Sequence, residues 1–169
     1  MASTLAPNRW RAAGWSLAAA LLLLPLIAMR FTAEVAWTPI DFAVAGVLIG
    51  SVGLAMELAV RASRDRFIRA GAAVAVLTAV ALVWLNLSVG IIGDEANPAN
   101  LVFLVVLAVA LLGALLARGR PRGMALTMSA TAFAQLAVAV LTPGIAAPFT
   151  AGFAALWMLA AWLFRRARG

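Results

Sequence analysis

The sequence predicts an all-α integral membrane protein with six transmembrane helices, arranged as three hairpins with both termini cytoplasmic. Hydrophobic residues make up 66% of the 169 residues and charged residues only 11%. A soluble domain of this length needs far more polar surface. Six apolar runs are long enough to cross the bilayer, and the arginines concentrate in alternate breaks between them. A chain of this length is predicted to form a single domain over residues 1–169.

The residue types that the sequence lacks exclude several chemistries. The chain has no Cys and no His, and it contains neither Tyr nor Lys. Thiolate or histidine metal sites, histidine-ligated haem and a Ser-His-Asp triad are therefore excluded. A lysine Schiff base or P-loop is excluded as well. We expect no cofactor and no enzymatic activity.

The predicted spans follow from a hydrocarbon core of about 30 Å, which about 17–25 helical residues can cross. The first begins after Arg9 and Arg11 but lacks a cleavage site, so it is predicted to be retained rather than removed as a signal peptide. The predicted spans are about Ala12–Met29, Pro39–Val60, Ile68–Ile92, Leu101–Ala117, Met124–Leu141 and Phe149–Phe164.

The charge distribution predicts the orientation. Twelve of the thirteen arginines lie at the two termini and in the breaks at residues 61–69 and 118–122, and the opposite breaks contain only Arg30. The positive-inside rule therefore predicts cytoplasmic termini. The net charge of +7 is expected to attract anionic lipid headgroups on that face rather than nucleic acid.

Two stripes of small or polar residues predict helix packing. Gly46, Gly50 and Gly53 lie on one face of the second span, where a neighbouring backbone could approach closely. Thr127, Thr131 and Gln135 recur every four residues in the fifth span.

Three residues define a candidate polar path through the membrane. Glu57, Asn86 and Gln135 lie in the second, third and fifth spans. Ionisable groups inside a membrane often mark an ion or proton pathway. Arg61, four residues after Glu57, favours the alternative of an interfacial ion pair. Asn86 and Gln135 favour hydrogen bonds across to neighbouring helices, and lining a ligand cavity is their alternative role.

The stretch "GDEANPAN" interrupts the apolar sequence between the third and fourth spans. Asn97 followed by Pro98 predicts a helix N-terminus. Acids before a helix favour its positive end, so punctuation is the preferred interpretation. The alternative is an outer polar or cation site, compensated first by Arg30 and second by a bound cation. The residues of this candidate outer site are Arg30, Asp41, Asp94, Glu95, Asn97 and Asn100.

The segments "AWTPIDFAVAG", "VWLNLSVGIIGDEANPANLVF" and "LLARGRPRGMA" resemble a family of small multi-spanning bacterial inner-membrane proteins with no known activity. The resemblance covers about residues 35 to 140. It implies a location in the bacterial inner membrane and an intact six-helix unit, and it supplies no catalytic residues.

From the sequence, we expect the protein to be a non-enzymatic accessory, assembly or sensor component. It would contact another membrane protein, or a second copy of itself, through its helix faces. The alternative is a small transporter or channel subunit with Glu57, Asn86 and Gln135 along its path. A polar cavity joining these three residues would favour transport, whereas a close-packed core would favour the accessory role.

Overall fold

A computed structural model describes residues 6–94, 96–142, 144 and 146–167, with side chains from residue 11 onward. Within these residues the secondary structure is helical, without strands. The helices are α1 (Ala6–Ala28), α2 (Pro39–Ala62), α3 (Arg66–Ser88), a 3-10 turn (Pro98–Leu101), α4 (Val102–Ala117), α5 (Pro121–Leu141) and α6 (Ala146–Arg166). All six α-helices, α4 together with its preceding turn, are long and apolar enough to cross a membrane.

The helix boundaries lie within three residues of the predicted spans, except that α1 begins at Ala6 rather than Ala12 and that the third span ends early. The sequence predicts a span to Ile92, but α3 ends at Ser88. Gly90 has φ +69°, a left-handed conformation that stops the helix. The residues after it are therefore part of the connecting loop.

Contacts between Cα atoms divide the chain into a first unit, Met1–Leu54, and a second unit, Ala55–Gly169. In the first unit, the Trp15 side chain packs against Gly53 of α2. The single domain predicted over residues 1–169 stays a prediction.

In the second unit, α5 packs against both α4 and α6, and α3 packs against α6. These four helices enclose two clusters of buried side chains. One includes Met128, Trp157 and Phe164. The other includes Leu82 of α3, Phe103 and Val106 of α4, and Phe153 of α6. Because the main neighbour of α3 is α6, the pairing of α3 with α4 as a separate hairpin stays a prediction.

Glycines give the closest helix approaches, but only partly at the predicted positions. A Cβ on Gly53 would lie 2.9 Å from Trp15, whereas Gly46 and Gly50 have no described atom within 4 Å of such a Cβ. The predicted close packing is therefore not observed at Gly46 and Gly50. In the second unit, a Cβ on Gly113 of α4 would lie 2.5 Å from Thr127 of α5, a contact that the sequence analysis missed.

Candidate functional site

Asn100 closes the loop between α3 and α4. Its Oδ1 accepts from the backbone N–H groups of Ile91 and Ile92 at 3.1 and 2.9 Å. Its Nδ2 donates to the carbonyls of Ile92 and Asp94 at 3.3 and 2.7 Å. The residue is 9% exposed, and both amide donors are used. The structure therefore gives Asn100 a role in holding the loop, and its membership of the candidate outer site stays a prediction.

The other described residues of this loop also bond locally. Asp94 Oδ1 accepts from the backbone N–H of Ala96 at 3.1 Å. Asn97 Oδ1 accepts from the N–H of Ala99 at 3.0 Å and caps the 3-10 turn that Pro98 begins. The predicted cap at Asn97 is thus confirmed, although the chain enters α4 through a 3-10 turn. Glu95 lies outside the described residues.

Asp41 forms a cap at the start of α2. Its Oδ2 accepts from the backbone N–H of Thr38 at 2.7 Å and from the Thr38 hydroxyl at 2.8 Å. The Thr38 hydroxyl accepts in turn from the Asp41 N–H at 3.4 Å. This reciprocal arrangement resembles a capping box. Asp41 therefore bonds at the start of its own helix, with Thr38 as its partner.

Four residues of the candidate outer site therefore form hydrogen bonds within their own loop or helix start: Asp41, Asp94, Asn97 and Asn100. Arg30 forms no ion pair with Asp41 within the first unit. Among the described residues, no group of three Asp, Glu, His or Cys side chains could hold a metal ion. The meeting of Arg30 and Asp41 with Asp94, Glu95 and Asn97 in one shared outer site stays a prediction, because these residues belong to different units.

Glu57 and Arg61 form the predicted ion pair near the end of α2. Arg61 Nε donates to Glu57 Oε1 at 2.7 Å, and the two side chains are 68% and 19% exposed, Arg61 being the more open. Near the same end of α2, the Arg69 side chain donates to the carbonyls of Ser63 and Val60 at 2.9 and 3.2 Å. The Glu57 carboxylate is therefore neutralised by a charge one turn away.

The polar stripe of α5 is buried but does not bond across to other helices. Thr131 and Gln135 are both 0% exposed. The Thr131 hydroxyl donates to the Thr127 carbonyl of its own helix at 2.9 Å. Gln135 Nε2 and Oε1 have no hydrogen-bond partner among the described residues. The interhelical bond predicted for Gln135 is therefore wrong within the described structure.

Asn86 also lacks the predicted hydrogen bond to a neighbouring helix. Its Nδ2 donates to the Leu82 carbonyl within α3 at 2.8 Å, and its Oδ1 has no partner among the described residues. Trp157 Nε1 of α6 is also without a described partner, at 1% exposure.

Apolar side chains fill the interior of the second unit. Leu82 is 0% exposed, and Phe103 and Val106 are each 1% exposed. An open, largely apolar groove of about 510 Å³ lies on α6 and is lined by Pro148, Phe149, Gly152, Phe153 and Leu156. It contains none of the three residues of the candidate polar path.

An arginine on α6 makes a polar contact that the sequence analysis did not consider. Arg165 Nη2 donates to the buried Ser129 hydroxyl of α5 at 3.3 Å. The neighbouring Arg166 places its guanidinium carbon 4.4 Å from the Trp162 ring centroid. Sequence could signal only that these arginines lie at a helix end.

Comparison with protein-family models, curated proteins and solved structures gives no match. The resemblance to a bacterial inner-membrane family therefore stays a prediction, and the function must be argued from the site itself.

Proposed function

We propose that this protein is a non-enzymatic accessory, assembly or sensor component of the bacterial inner membrane. It crosses the membrane six times as three hairpins, with both termini in the cytoplasm. It acts through helix–helix contacts with another membrane protein or with a second copy of itself. Anionic lipids are its partners at the arginine-rich end, and nucleic acid is not.

The close-packed interior of the second unit carries this proposal. Leu82, Phe103 and Trp157 are at most 1% exposed, and the described groove is apolar and separate from Glu57, Asn86 and Gln135. A transport path needs polar groups that face a shared, hydrated space. The Glu57 ion pair and the intrahelical bonds of Asn86 and Thr131 favour structural roles for these groups.

The surface of the bundle supports lateral contacts. Large apolar side chains are open on the outside of α4 and α5, including Leu116 at 82% and Val140 at 81% exposure. In a membrane these faces meet lipid or other helices. Short connections between helices leave little surface for soluble partners.

The alternative function, a small transporter or channel subunit, is favoured by one observation. Gln135 Nε2 and Oε1 have no described partner although the residue is 0% exposed. An unpaired amide inside a membrane protein is costly, and a passing polar solute would compensate it.

Photo-crosslinking in native membranes tests the accessory role. A photoreactive residue is placed at Leu116 or Val140, one position per variant. We expect a discrete protein adduct from at least one position, identified by mass spectrometry. Only lipid adducts at both positions, together with specific solute flux into proteoliposomes, would instead support the transporter.

Reporter fusions test the orientation independently. Fusions after Gly93 and Gly169 should report opposite compartments, with Gly169 in the cytoplasm. The same compartment for both fusions would overturn the six-span topology.

A further inference from the structure

Arg165 directs its guanidinium along the bundle instead of away from it. The group reaches the Ser129 hydroxyl at 3.3 Å. Ser129 lies eight residues after the start of α5 at Pro121, which corresponds to about 12 Å along the helix axis. Helical side chains lean towards the N-terminus of their helix, and the N-terminus of α6 is at the opposite end of the bundle. Arginines near the end of a span usually extend towards water instead.

No ion pair of Arg165 with an acidic side chain is described in the second unit. Glu57 pairs with Arg61, and Asp65 caps α3 by accepting from the Phe67 N–H at 2.7 Å. Asp94 belongs to the loop at the other end of the bundle. The described partner of Arg165 is therefore a neutral hydroxyl, and the guanidinium has five N–H donors in all.

The groups at the end of α6 are those of a membrane–water interface. Trp162, one turn before Arg165 and Arg166, is 46% exposed and lies under the Arg166 guanidinium at 4.4 Å. Tryptophan and arginine together are typical of the headgroup region of a bilayer.

We propose that the Arg165 guanidinium, held by the Ser129 hydroxyl, forms a binding site for the phosphate group of an anionic phospholipid between α5 and α6. The planar guanidinium matches phosphate oxygens with two parallel hydrogen bonds. Ser129 sets its direction, since the hydroxyl donates to the Ala125 carbonyl at 2.9 Å and accepts from Arg165. The site deepens the lipid partnership of the proposed function and rests on it.

A lipid fits this site better than an acidic protein segment does. Met158 and Trp162 are exposed at 42% and 46% along the same side of α6, where an acyl chain extending from the phosphate would lie. The cytoplasmic leaflet also presents anionic headgroups at high local concentration.

Native mass spectrometry of the full chain in detergent tests the proposal. The protein is titrated with phosphatidylglycerol and, separately, with zwitterionic phosphatidylcholine. We expect Arg165→Gln to weaken phosphatidylglycerol binding at least tenfold and to leave phosphatidylcholine binding unchanged. Arg165→Lys keeps the charge but loses the two-pronged geometry, so it should retain part of the affinity.

Arg64→Gln is the matched control, because it removes the same charge from an exposed residue in the α2–α3 connection. It should change phosphatidylglycerol binding less than threefold. Equal losses in the Arg64 and Arg165 variants would mean diffuse attraction and overturn the site. Equal binding of both lipids by the unmodified protein would also overturn it. Crosslinking to a membrane partner is a separate readout, so either proposal can fail alone.

Discussion

Replacing Gln135 with leucine should stabilise the protein. The side chain is 0% exposed, and neither of its amide atoms has a described hydrogen-bond partner. Burying an unpaired amide costs about 1–3 kcal/mol by mutational measurements. Leucine has a similar volume and no polar atoms, so Gln135→Leu removes this cost with little repacking. We expect the free energy of unfolding to rise by about 1–2 kcal/mol.

The assay is unfolding in mixed micelles with increasing sodium dodecyl sulfate, followed by circular dichroism. Thr131→Val is the matched control one turn away on α5. Its hydroxyl is equally buried but donates to the Thr127 carbonyl at 2.9 Å. Removing that satisfied group should be neutral or cost up to about 1 kcal/mol. A Gln135→Leu variant that loses more than about 1 kcal/mol would refute the reasoning, because the amide would then have a partner.

Three further substitutions probe the loop, the helix contact and the ion pair. Asn100→Ala should cost about 2–4 kcal/mol, because it removes all four loop hydrogen bonds and leaves the N–H groups of the half-buried Ile91 and Ile92 without their acceptor; faster amide exchange in the α3–α4 loop would verify the cause. Gly113→Ala should lower the free energy of unfolding by about 1–3 kcal/mol, because the added methyl group overpacks against Thr127. Gly152→Ala is the control: its methyl group would enter open space, so the unfolding midpoint should be nearly unchanged. Equal effects of the two substitutions would contradict the Gly113 contact. Glu57→Gln should cost less than about 1 kcal/mol, since its partner Arg61 is 68% exposed and pairs with such an open partner contribute little; abolished solute flux would contradict its structural role.

Hydropathy predicted the helices well because each span must satisfy its backbone hydrogen bonds internally. The boundary error at Ile92 arose because the residues after Ser88 are apolar but non-helical. Their direction is set by Gly90, with φ +69°, and by the bonds of Ile91 and Ile92 to Asn100. An isolated asparagine eight or nine residues away gives no periodic signal of such a bond.

Helix packing was less predictable than helix position. The spacing of Gly46 and Gly50 shows that a backbone could approach, but it does not specify a partner. Gly113 makes its close contact with Thr127 without such a repeat. Likewise, the polar stripe of α5 predicted helix packing, but its spacing did not show whether the Thr131 hydroxyl bonds to its own backbone, as it does, or to a neighbouring helix. Sequence spacing cannot distinguish these two partners.

Water accessibility at Gln135 tests most directly whether the interior is closed. The chain contains no cysteine, so a single thiol can be introduced without altering other residues. Gln135→Cys in intact membranes should resist a water-soluble maleimide and react only after denaturation, whereas Asp94→Cys in the loop should react at once. Rapid labelling of Gln135→Cys in the folded protein would reveal a hydrated path and contradict the accessory role.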